Sequence, residues 1–281
     1  MKNKTNLASK VSSVSWEKEL SEKIQRHQAK VAVIGLGYVG LPVLQEFCLE
    51  KFPSFGYDID PAKITSLKKG KTYLNTVTEE WILPALQSQT LHVSENFSNL
   101  GDADAIIACV PTPLDEHRQP DLSYVEKTAE AVAATLRPGQ LAIFESTSYP
   151  GTTREIVLPI LEKTGLKLGV DFFLAYSSER QEPGRVTPSF TQIPKVVGGV
   201  DPTGGALACK LYAEIVDKVV PVSSAEIAEA GKILENIYRC VNIALVNEMK
   251  MIFDKMGIDV WEVIAAASTK PFGFQPFYPG P

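Results

Sequence analysis

Three glycines at fixed spacing carry the clearest chemical signal in the sequence. Gly35, Gly37 and Gly40 follow an apolar run and come directly before a segment of helical periodicity. The first glycine permits a tight turn, the second lets the backbone approach a pyrophosphate, and the third lets the helix pack closely on the strand. Free N–H groups at the start of that helix favour negative charge. We therefore expect a dinucleotide at this turn, with Tyr38 and Val39 as further contacts.

A carboxylate follows the next apolar run. Asp58 lies 18 residues after Gly40, where it can accept hydrogen bonds from the adenosine ribose hydroxyls. The three residues after it, Ile59, Asp60 and Pro61, include no basic side chain, which favours NAD over NADP. The alternative is a structural glycine turn in an α/β domain that binds no dinucleotide.

Short hydroxyl side chains follow two further apolar runs. Thr112 comes after one, and Ser146 and Thr147 come after the other. Ligands of open α/β sheets bind outside the carboxyl ends of the strands, so we expect these three residues near the nicotinamide ring. Alternatively, each serves only as an N-cap of the helix that follows.

The elements that must position these residues alternate between short apolar runs and helical segments. Such alternation is typical of β-α-β units, and near-continuous apolar strands indicate a parallel sheet covered by helices on both faces. The predicted fold class is α/β, with a doubly wound parallel sheet. The predicted strands are 30–34, 54–58, 105–110, 141–145, 172–176, 195–197 and 219–222; the predicted helices between them are 39–51, 61–68, 124–136, 152–164 and 203–215.

A long helix follows the alternating part. A capping box at Ser223 and Glu226 begins it, and residues 225–256 span about 48 Å at 1.5 Å per residue, enough to connect two domains or to form a dimer core. A short helix over 261–268 and a tail rich in Pro and Gly complete the chain. The predicted organisation is a polar helical extension with a helix over 16–28, then the sheet domain, then the long helix with the start of a further domain: 1–28, 29–222 and 223–281.

Composition excludes several classes of protein. The 281 residues carry 28 Lys and Arg against 33 Asp and Glu, a net charge of −5, whereas nucleic-acid binding through bulk charge needs a basic face. No stretch approaches the apolar length of a membrane span, and the first 30 residues lack the apolar core of a secretory signal, so we expect a cytoplasmic protein. The four cysteines and three histidines are scattered, which argues against a disulfide framework and a metal site.

Seven collinear motifs over residues 30–281 resemble the UDP-glucose/GDP-mannose dehydrogenase family. The resemblance implies a Rossmann-like NAD-binding domain, a long central helix with a homodimer interface, and a second Rossmann-like domain for UDP. It also implies four-electron oxidation of a C6 alcohol to the acid with two NAD, in the service of surface polysaccharide synthesis. The motifs are GLGYVGLP, VPTP, ESTSYPGTT, SSERQEPGR, IPKVVGG, AGKILENIYRCVNIALVNE and KPFGFQPFYPGP.

The family pattern assigns roles to four residues. Glu179 and Thr147 match the residues that hold a water and assist proton transfer, and Lys232 and Asn236 match a pair that stabilises the oxyanion at the sugar C6. The pair is spaced i, i+4, so both side chains lie on one face of the long helix. For Lys232 the alternative is an ordinary solvated charge.

The segment after Glu179 is expected to run along the sugar. Arg180 and Gln181 are therefore candidate substrate contacts, and the planar guanidinium of Arg180 suits anionic oxygens. The alternative for Arg180 is an ion pair with Glu182 or Glu179.

One part of the family pattern is missing. The family's nucleophilic cysteine belongs to a segment that should begin after FYPGP, and the UDP domain lies beyond it. The four cysteines present fit buried structural thiols rather than activated thiolates. We therefore expect this chain to be the cofactor half, able to bind NAD but inactive alone.

Alternatives remain for the function. UDP-N-acetylglucosamine leads as the substrate, followed by UDP-N-acetylmannosamine or the galacto epimer, then UDP-glucose. The 6-phosphogluconate and 3-hydroxyacid dehydrogenases also join a Rossmann domain to a long helix, but they do not need the EST, SSERQEPG and FYPGP segments. A non-catalytic NAD-binding or dimerisation module is the remaining alternative.

Overall fold

The structure, a computed structural model, describes residues 15–180 and 189–280. The chain divides into two compact units, Met1–Glu229 and Ala230–Pro281. The first unit holds the sheet. The division falls inside the long helix, which therefore contributes residues to both units.

Eight strands in the described part of the chain form one sheet. Their order is β3-β2-β1-β4-β5-β6-β7-β8, and the first six, in the order 3-2-1-4-5-6, reproduce the doubly wound arrangement of dinucleotide-binding folds. The predicted fold class is confirmed. The strands are β1 Val31–Ile34, β2 Ser54–Tyr57, β3 Leu91–Ser94, β4 Ala105–Ala108, β5 Leu141–Phe144, β6 Phe173–Ser177, β7 Lys195–Gly199 and β8 Val219–Val222.

The last two strands, β7 and β8, run against the other six. β7 pairs antiparallel with β6, with Ser177 opposite Val197, and β8 then pairs parallel with β7. The sequence predicted a wholly parallel sheet, because apolar runs indicate burial on both faces but not direction. As a result, the start of β7 lies at the same edge of the sheet as the ends of β4, β5 and β6.

Helices cover both faces of the sheet. Alternate residues of β1 belong to different cores: Val31 and Val33 pack on one face, and Ala32 and Ile34 on the other. This alternation is what a strand between two helical layers requires. The helices of the first unit are α1 Trp16–Gln25, α2 Gly40–Leu49, α3 Pro61–Lys68, α4 Ile82–Gln87, α5 Ser123–Ala133, α6 Leu158–Glu162 and α7 Pro202–Ala213.

Four elements differ from expectation. β3 and α4 were not predicted, because β3 is an edge strand that alternates buried and exposed residues and so lacks an apolar run. The predicted helix over 152–164 begins with a π-helical turn, Thr153–Val157, before α6. The predicted N-terminal helix forms as α1, ends three residues early, and buries Leu20 and Ile24 in the core.

The second unit consists of the later part of the long helix, a second, shorter helix and a returning segment, residues 268–280. Helix α8, Ala225–Met256, is continuous for 32 residues, and α9, Val260–Ala267, follows it. The returning segment is tied to α8 by hydrogen bonds from Tyr238 Oη to Gln275 Oε1 (2.8 Å) and from Asn247 Nδ2 to Gly280 O (2.8 Å). Among the described residues, no helix combines the length and apolarity needed to cross a membrane.

Candidate functional site

The glycine turn between β1 and α2 has the shape that close approach of a ligand requires. Gly35 has φ +86°, and a Cβ there would lie 2.5 Å from Cys109 O; a Cβ on Gly40 would lie 2.0 Å from Gly35 O. A Cβ on Gly37, in contrast, would meet no atom within 4 Å. Two of the glycines therefore allow the chain to pack on itself, and the third leaves open space above the turn.

The start of α2 leaves its backbone donors without a side-chain cap. Val39 is the N-cap residue and makes no capping hydrogen bond, and the Tyr38 side chain beside it is 52% exposed. Uncapped N–H groups at a helix N-terminus form a site for an anion. The open space at Gly37 and these donors fit a pyrophosphate.

Asp58 lies directly against this turn. Its Oδ2 accepts hydrogen bonds from Leu36 N (2.8 Å) and from Lys63 Nζ (2.8 Å), and its Oδ1 accepts from Asp60 N (2.9 Å). The carboxylate is therefore held where β2 ends beside the glycines. Lys63 was not anticipated, because sequence reasoning considered only the three residues after Asp58. Lys63 lies further along the chain, in the first turn of α3, which brings its side chain back to Asp58.

The three hydroxyl residues connect the loops after β4 and β5. Thr112 Oγ1 donates to Thr147 O (2.6 Å), and Ser146 Oγ accepts from Val110 N (3.2 Å). Neither α5 nor the helical turn after β5 has one of them as its N-cap, so the capping alternative is wrong. The structure brings all three together at the carboxyl edge of the sheet.

A buried charge cluster lies at the same edge, which we call the Lys195 cluster: Glu145, Glu179, Lys195 and Tyr212. Lys195 Nζ lies 2.7 Å from Glu145 Oε2 and 3.4 Å from Glu179 Oε2, and Tyr212 Oη donates to Glu145 Oε1. Glu145 is 1% exposed, Lys195 4% and Glu179 7%. Of these, sequence reasoning assigned a role to Glu179 alone. The missed signal was a lysine at the start of a buried strand and a glutamate at the end of another.

The electrostatics of the cluster follow from burial and pairing. Burial raises the pKa of the Glu145 carboxyl, although the Lys195 ammonium acts in the opposite direction. Burial lowers the pKa of Lys195, but Glu145 and Glu179 outweigh it, so that the pKa is raised overall and the lysine keeps its charge. Burial also raises the pKa of Tyr212 well above its ordinary value, and the phenol therefore remains a donor.

A second buried carboxylate fixes the loop after β5. Glu229 Oε2 accepts from Gly151 N (2.6 Å), and Glu229 Oε1 accepts from Thr153 N (2.9 Å) and Thr153 Oγ1 (2.6 Å). Nearby, Arg154 pairs with Glu226 and donates to Val200 O (2.9 Å). The first turn of α8 thus holds the loop that carries Ser146 and Thr147.

The other predicted site residues have the following positions. Arg180 Nη1 donates to Pro194 O (3.0 Å), and Gln181 lies outside the described residues. Lys232 and Asn236 are half-buried on α8 within the second unit, one helical turn apart. Asn236 Oδ1 accepts from Arg239 Nη2 (3.0 Å).

The cysteines do not form a reactive set. Burial raises the pKa of Cys48 to about 12, and burial together with Glu145 raises the pKa of Cys109 well above its ordinary value. Both are inert thiols, as expected. Cys240 is exposed on α8, so the prediction that it is buried is wrong.

Comparison with known proteins places this geometry in a family context. Residues 29–216 match the model for the UDP-glucose/GDP-mannose dehydrogenase family, NAD binding domain, and residues 226–281 match the model for the central domain of the same family. A UDP-N-acetyl-D-glucosamine 6-dehydrogenase from Pseudomonas aeruginosa is 42% identical over 253 residues, which are 89% of this chain and 59% of that protein. The chain therefore spans little more than half the length of such relatives.

Solved structures show the same likeness. A UDP-D-ManNAc dehydrogenase from Pyrococcus horikoshii aligns with a TM-score of 0.83 at 35% identity, over 89% of this chain and 60% of that one. A Mycobacterium tuberculosis 3-hydroxyisobutyrate dehydrogenase aligns over 88% of this chain and 72% of that one, with a TM-score of 0.61 at 17% identity. That second likeness concerns the fold alone.

Proposed function

The chain belongs to the UDP-glucose/GDP-mannose dehydrogenase family, with NAD as its cofactor, and from that premise we propose that it takes part in oxidising the C6 alcohol of a UDP-N-acetylhexosamine to the uronic acid. The reaction removes four electrons and uses two NAD. UDP-N-acetylglucosamine is the preferred sugar nucleotide. The protein acts in the cytoplasm, and its product is used for surface polysaccharide synthesis. The observation that carries this proposal is the open glycine turn beside Asp58, within a chain that matches two domains of this family.

When bound, NAD would supply the acceptor for the hydride of the sugar carbon, and this chain's residues would bind and orient the cofactor. The uncapped start of α2, with Gly35, Gly37 and Gly40, would hold the pyrophosphate. Asp58 would accept from the ribose hydroxyls, an interaction that favours NAD over its 2′-phosphorylated form. The hydroxyl-bearing loops after β4 and β5 would line the nicotinamide end.

Proton transfer is the task we assign to Glu179 and Thr147. As an alcohol loses hydride it must also lose a proton, and a carboxylate within reach of the sugar through one water can take it. Lys232 and Asn236 would stabilise the oxyanion at C6 by an ammonium and an amide donor. Arg180 and Gln181 would contact the sugar nucleotide. These roles follow the family pattern.

Homodimer formation through α8 is part of the proposal. Its apolar side chains recur at intervals of three, four or seven residues and are about half exposed or more: Leu234 68%, Ile237 54%, Val241 60%, Leu245 56%, Ile252 48% and Met256 63%. We call this set the apolar stripe of α8. Monomeric proteins seldom leave so long an apolar face in water, and a second copy of the helix would cover it.

Calorimetric titration of this chain with NAD tests the cofactor site, with NADP as the matched control. We expect NAD to bind at least tenfold more tightly, since a 2′-phosphate would meet the Asp58 carboxylate. The sugar is tested by NADH formation from UDP-N-acetylglucosamine, UDP-N-acetylmannosamine and UDP-glucose with the full-length natural protein. An absence of NAD binding, or a preference for UDP-glucose, would contradict the corresponding part of the proposal.

A further inference from the structure

Neighbouring strands bring the charges of the Lys195 cluster to one place. Glu145 follows β5, Glu179 follows β6, and Lys195 begins β7. Parallel strands deliver their carboxyl ends to one edge of the sheet, and only a strand running the other way delivers its first residue there. The antiparallel direction of β7 is therefore what places a lysine among carboxylates at this edge.

The register of β6 and β7 brings Lys195 close to Glu179. The ladder aligns Ala175 with Gly199 and Ser177 with Val197. Continued by two more residues, the same register sets Glu179 opposite Lys195, and their charged atoms lie 3.4 Å apart. Lys195, as the first residue of β7, is held by the sheet, whereas Glu179 lies two residues beyond the end of β6.

Lys195 is itself held from several sides. Glu145 Oε2 lies 2.7 Å from its Nζ, and Tyr212 donates to the other oxygen of that carboxylate. The rings of Phe190 and Tyr212 lie 5.5 Å and 5.2 Å from the ammonium, within the range of a cation–π contact. The position of the Lys195 ammonium is therefore fixed by contacts other than the one to Glu179. The Glu179 carboxylate contacts an ammonium that is already held in place.

Within residues 15–180 and 189–280, several neighbouring elements bring charged or titratable groups to Glu179. These groups are the Lys195 ammonium from β7, the Glu145 carboxylate after β5, the Cys109 thiol after β4, the Tyr176 and Tyr212 phenols from β6 and α7, and the adjacent Arg180. Burial raises the pKa of the Cys109 thiol and of both phenols, so these three are neutral at pH 7. In the part of the chain that the structure describes, Lys195 is then the buried cation that faces both carboxylates.

We propose that Lys195 is a positioning residue for Glu179: it fixes the direction of the Glu179 carboxylate through a direct contact with its ammonium, while Glu145 and Tyr212 hold Lys195 in place. The inference rests on the proposed function, because that function gives Glu179 its part in proton transfer. A carboxylate that is correctly aimed before substrate arrives is ready to accept a proton. Glu145 and Tyr212 act through Lys195 and need not touch substrate.

Infrared titration of the full 281-residue chain tests this assignment. The signal is the carbonyl stretch of a protonated carboxylic acid, followed as the pH is lowered. Subtracting the spectrum of the matching Glu179→Gln variant in each background isolates Glu179 from the other carboxyls. The decisive comparison is between Glu145→Gln and Glu145→Gln with Lys195→Met, because these two variants differ only in the ammonium.

The expected midpoint for Glu179 is at least one pH unit higher in the double variant, a tenfold rise in proton affinity. Relative to the unaltered chain, Glu145→Gln alone should lower the midpoint, because it removes a like charge and leaves the ammonium. In the Glu145→Gln background, Lys195→Arg should give a lower Glu179 midpoint than Lys195→Met, because arginine keeps the positive charge. A purely structural lysine would leave the midpoint of Glu179 the same with and without the ammonium, and that result would overturn the proposal.

Two measurements keep the outcomes separate. Circular dichroism reports whether each variant folds, and if Lys195→Met does not fold, Lys195→Gln takes its place with the same expectation. NAD titration of the unaltered chain reports on the proposed function independently of the infrared midpoint. A chain that fails to bind NAD defeats that function, whereas equal midpoints defeat only the assignment of Lys195.

Discussion

At the scale of single residues, glycine has two different roles in the turn between β1 and α2: it allows close backbone packing, and it leaves space for a ligand. Gly35 and Gly40 have their hydrogens against backbone oxygens, so any side chain there would collide with the fold. Gly37 faces open space, so its hydrogen matters only when something binds. A methyl group at each position therefore distinguishes stability from ligand binding.

Gly37→Ala should fold with nearly unchanged stability, within about 0.5 kcal/mol, and should weaken NAD binding at least tenfold. The added methyl would occupy the space where the pyrophosphate approaches the turn. Thermal unfolding and calorimetric titration check the two effects. Gly40→Ala is the matched control, because its Cβ would lie 2.0 Å from Gly35 O; it should lose about 1–3 kcal/mol or more. Equal NAD affinity in Gly37→Ala and the unaltered chain would contradict the prediction.

Glu229→Gln should cost about 1–3 kcal/mol, the range for a buried donor left unsatisfied. The carboxylate accepts three hydrogen bonds from Gly151 and Thr153, and an amide would turn an N–H group toward at least one of those donors. Denaturant unfolding measures the loss. Glu226→Gln, three residues earlier, breaks a part-exposed pair with Arg154 and should cost less than about 1 kcal/mol. A reversed order of the two costs would show that the loop is held by other contacts.

At the scale of elements, α1 illustrates how a polar segment is attached to the sheet domain. His27, just after α1, has φ +53° and places Nδ1 2.6 Å from Glu50 O and Nε2 2.9 Å from Glu214 Oε2. Its ring also stacks on Phe52. Both nitrogens thus face acceptors, an arrangement that suits the protonated ring.

This contact makes stability depend on pH. Burial lowers the pKa of His27, but the bonds to Glu214 and Glu50 outweigh it and raise the pKa above 6.5. A histidine with a raised folded-state pKa contributes its stabilisation fully below its unfolded pKa and loses it as the pH rises through the folded value. The denaturant concentration at the midpoint of unfolding should therefore decrease as the pH is raised from 6 to about 8.

His27→Asn should remove most of that pH dependence, and asparagine tolerates the left-handed backbone. The measurement is the urea midpoint at each pH. His117→Asn, on an exposed loop, is the control and should retain the dependence. An unchanged slope in His27→Asn would assign the effect to another group.

The elements also show what the sequence could and could not predict. Patterns local in sequence were sufficient to predict the glycine turn before α2, the position of Asp58 at the end of β2, and the long helix. The observed bounds of that helix, Ala225–Met256, equal those predicted. Lys63 and Lys195 were missed because their partners are set by the turn of α3 and by the direction of β7, which side-chain periodicity does not specify. The edge strand β3 was missed because half of its side chains face away from the core.

At the scale of the whole molecule, the two units gain stability in different ways. The first has a sheet with a buried core on each face. The second contains most of α8 together with α9, and its buried apolar residues include Val260 and Ile264, while the apolar stripe of α8 is largely exposed. A helix of this kind gains most of its stability from packing against a partner.

Val241→Glu with Leu245→Glu should convert a dimer to a monomer, because both changes place charge in the middle of the apolar stripe. Light scattering of the purified chain measures the mass. Lys255→Glu is the control, since it alters net charge by the same amount at an exposed position of α8 and should leave the dimer intact. A monomeric unaltered chain, or a dimer that survives both glutamates, would contradict an interface on this stripe.

The reversed strand β7 also determines how long the arrangement around Lys195 lasts. This residue begins a strand with neighbours on both sides, and its N–H donates to Lys218 O (2.9 Å). Amides within such a ladder exchange their hydrogen only when a large part of the domain opens. In deuterium oxide the Lys195 amide should therefore be among the last to exchange its hydrogen for deuterium. The Lys195 ammonium that faces Glu179 should then keep its position for as long as the domain stays folded.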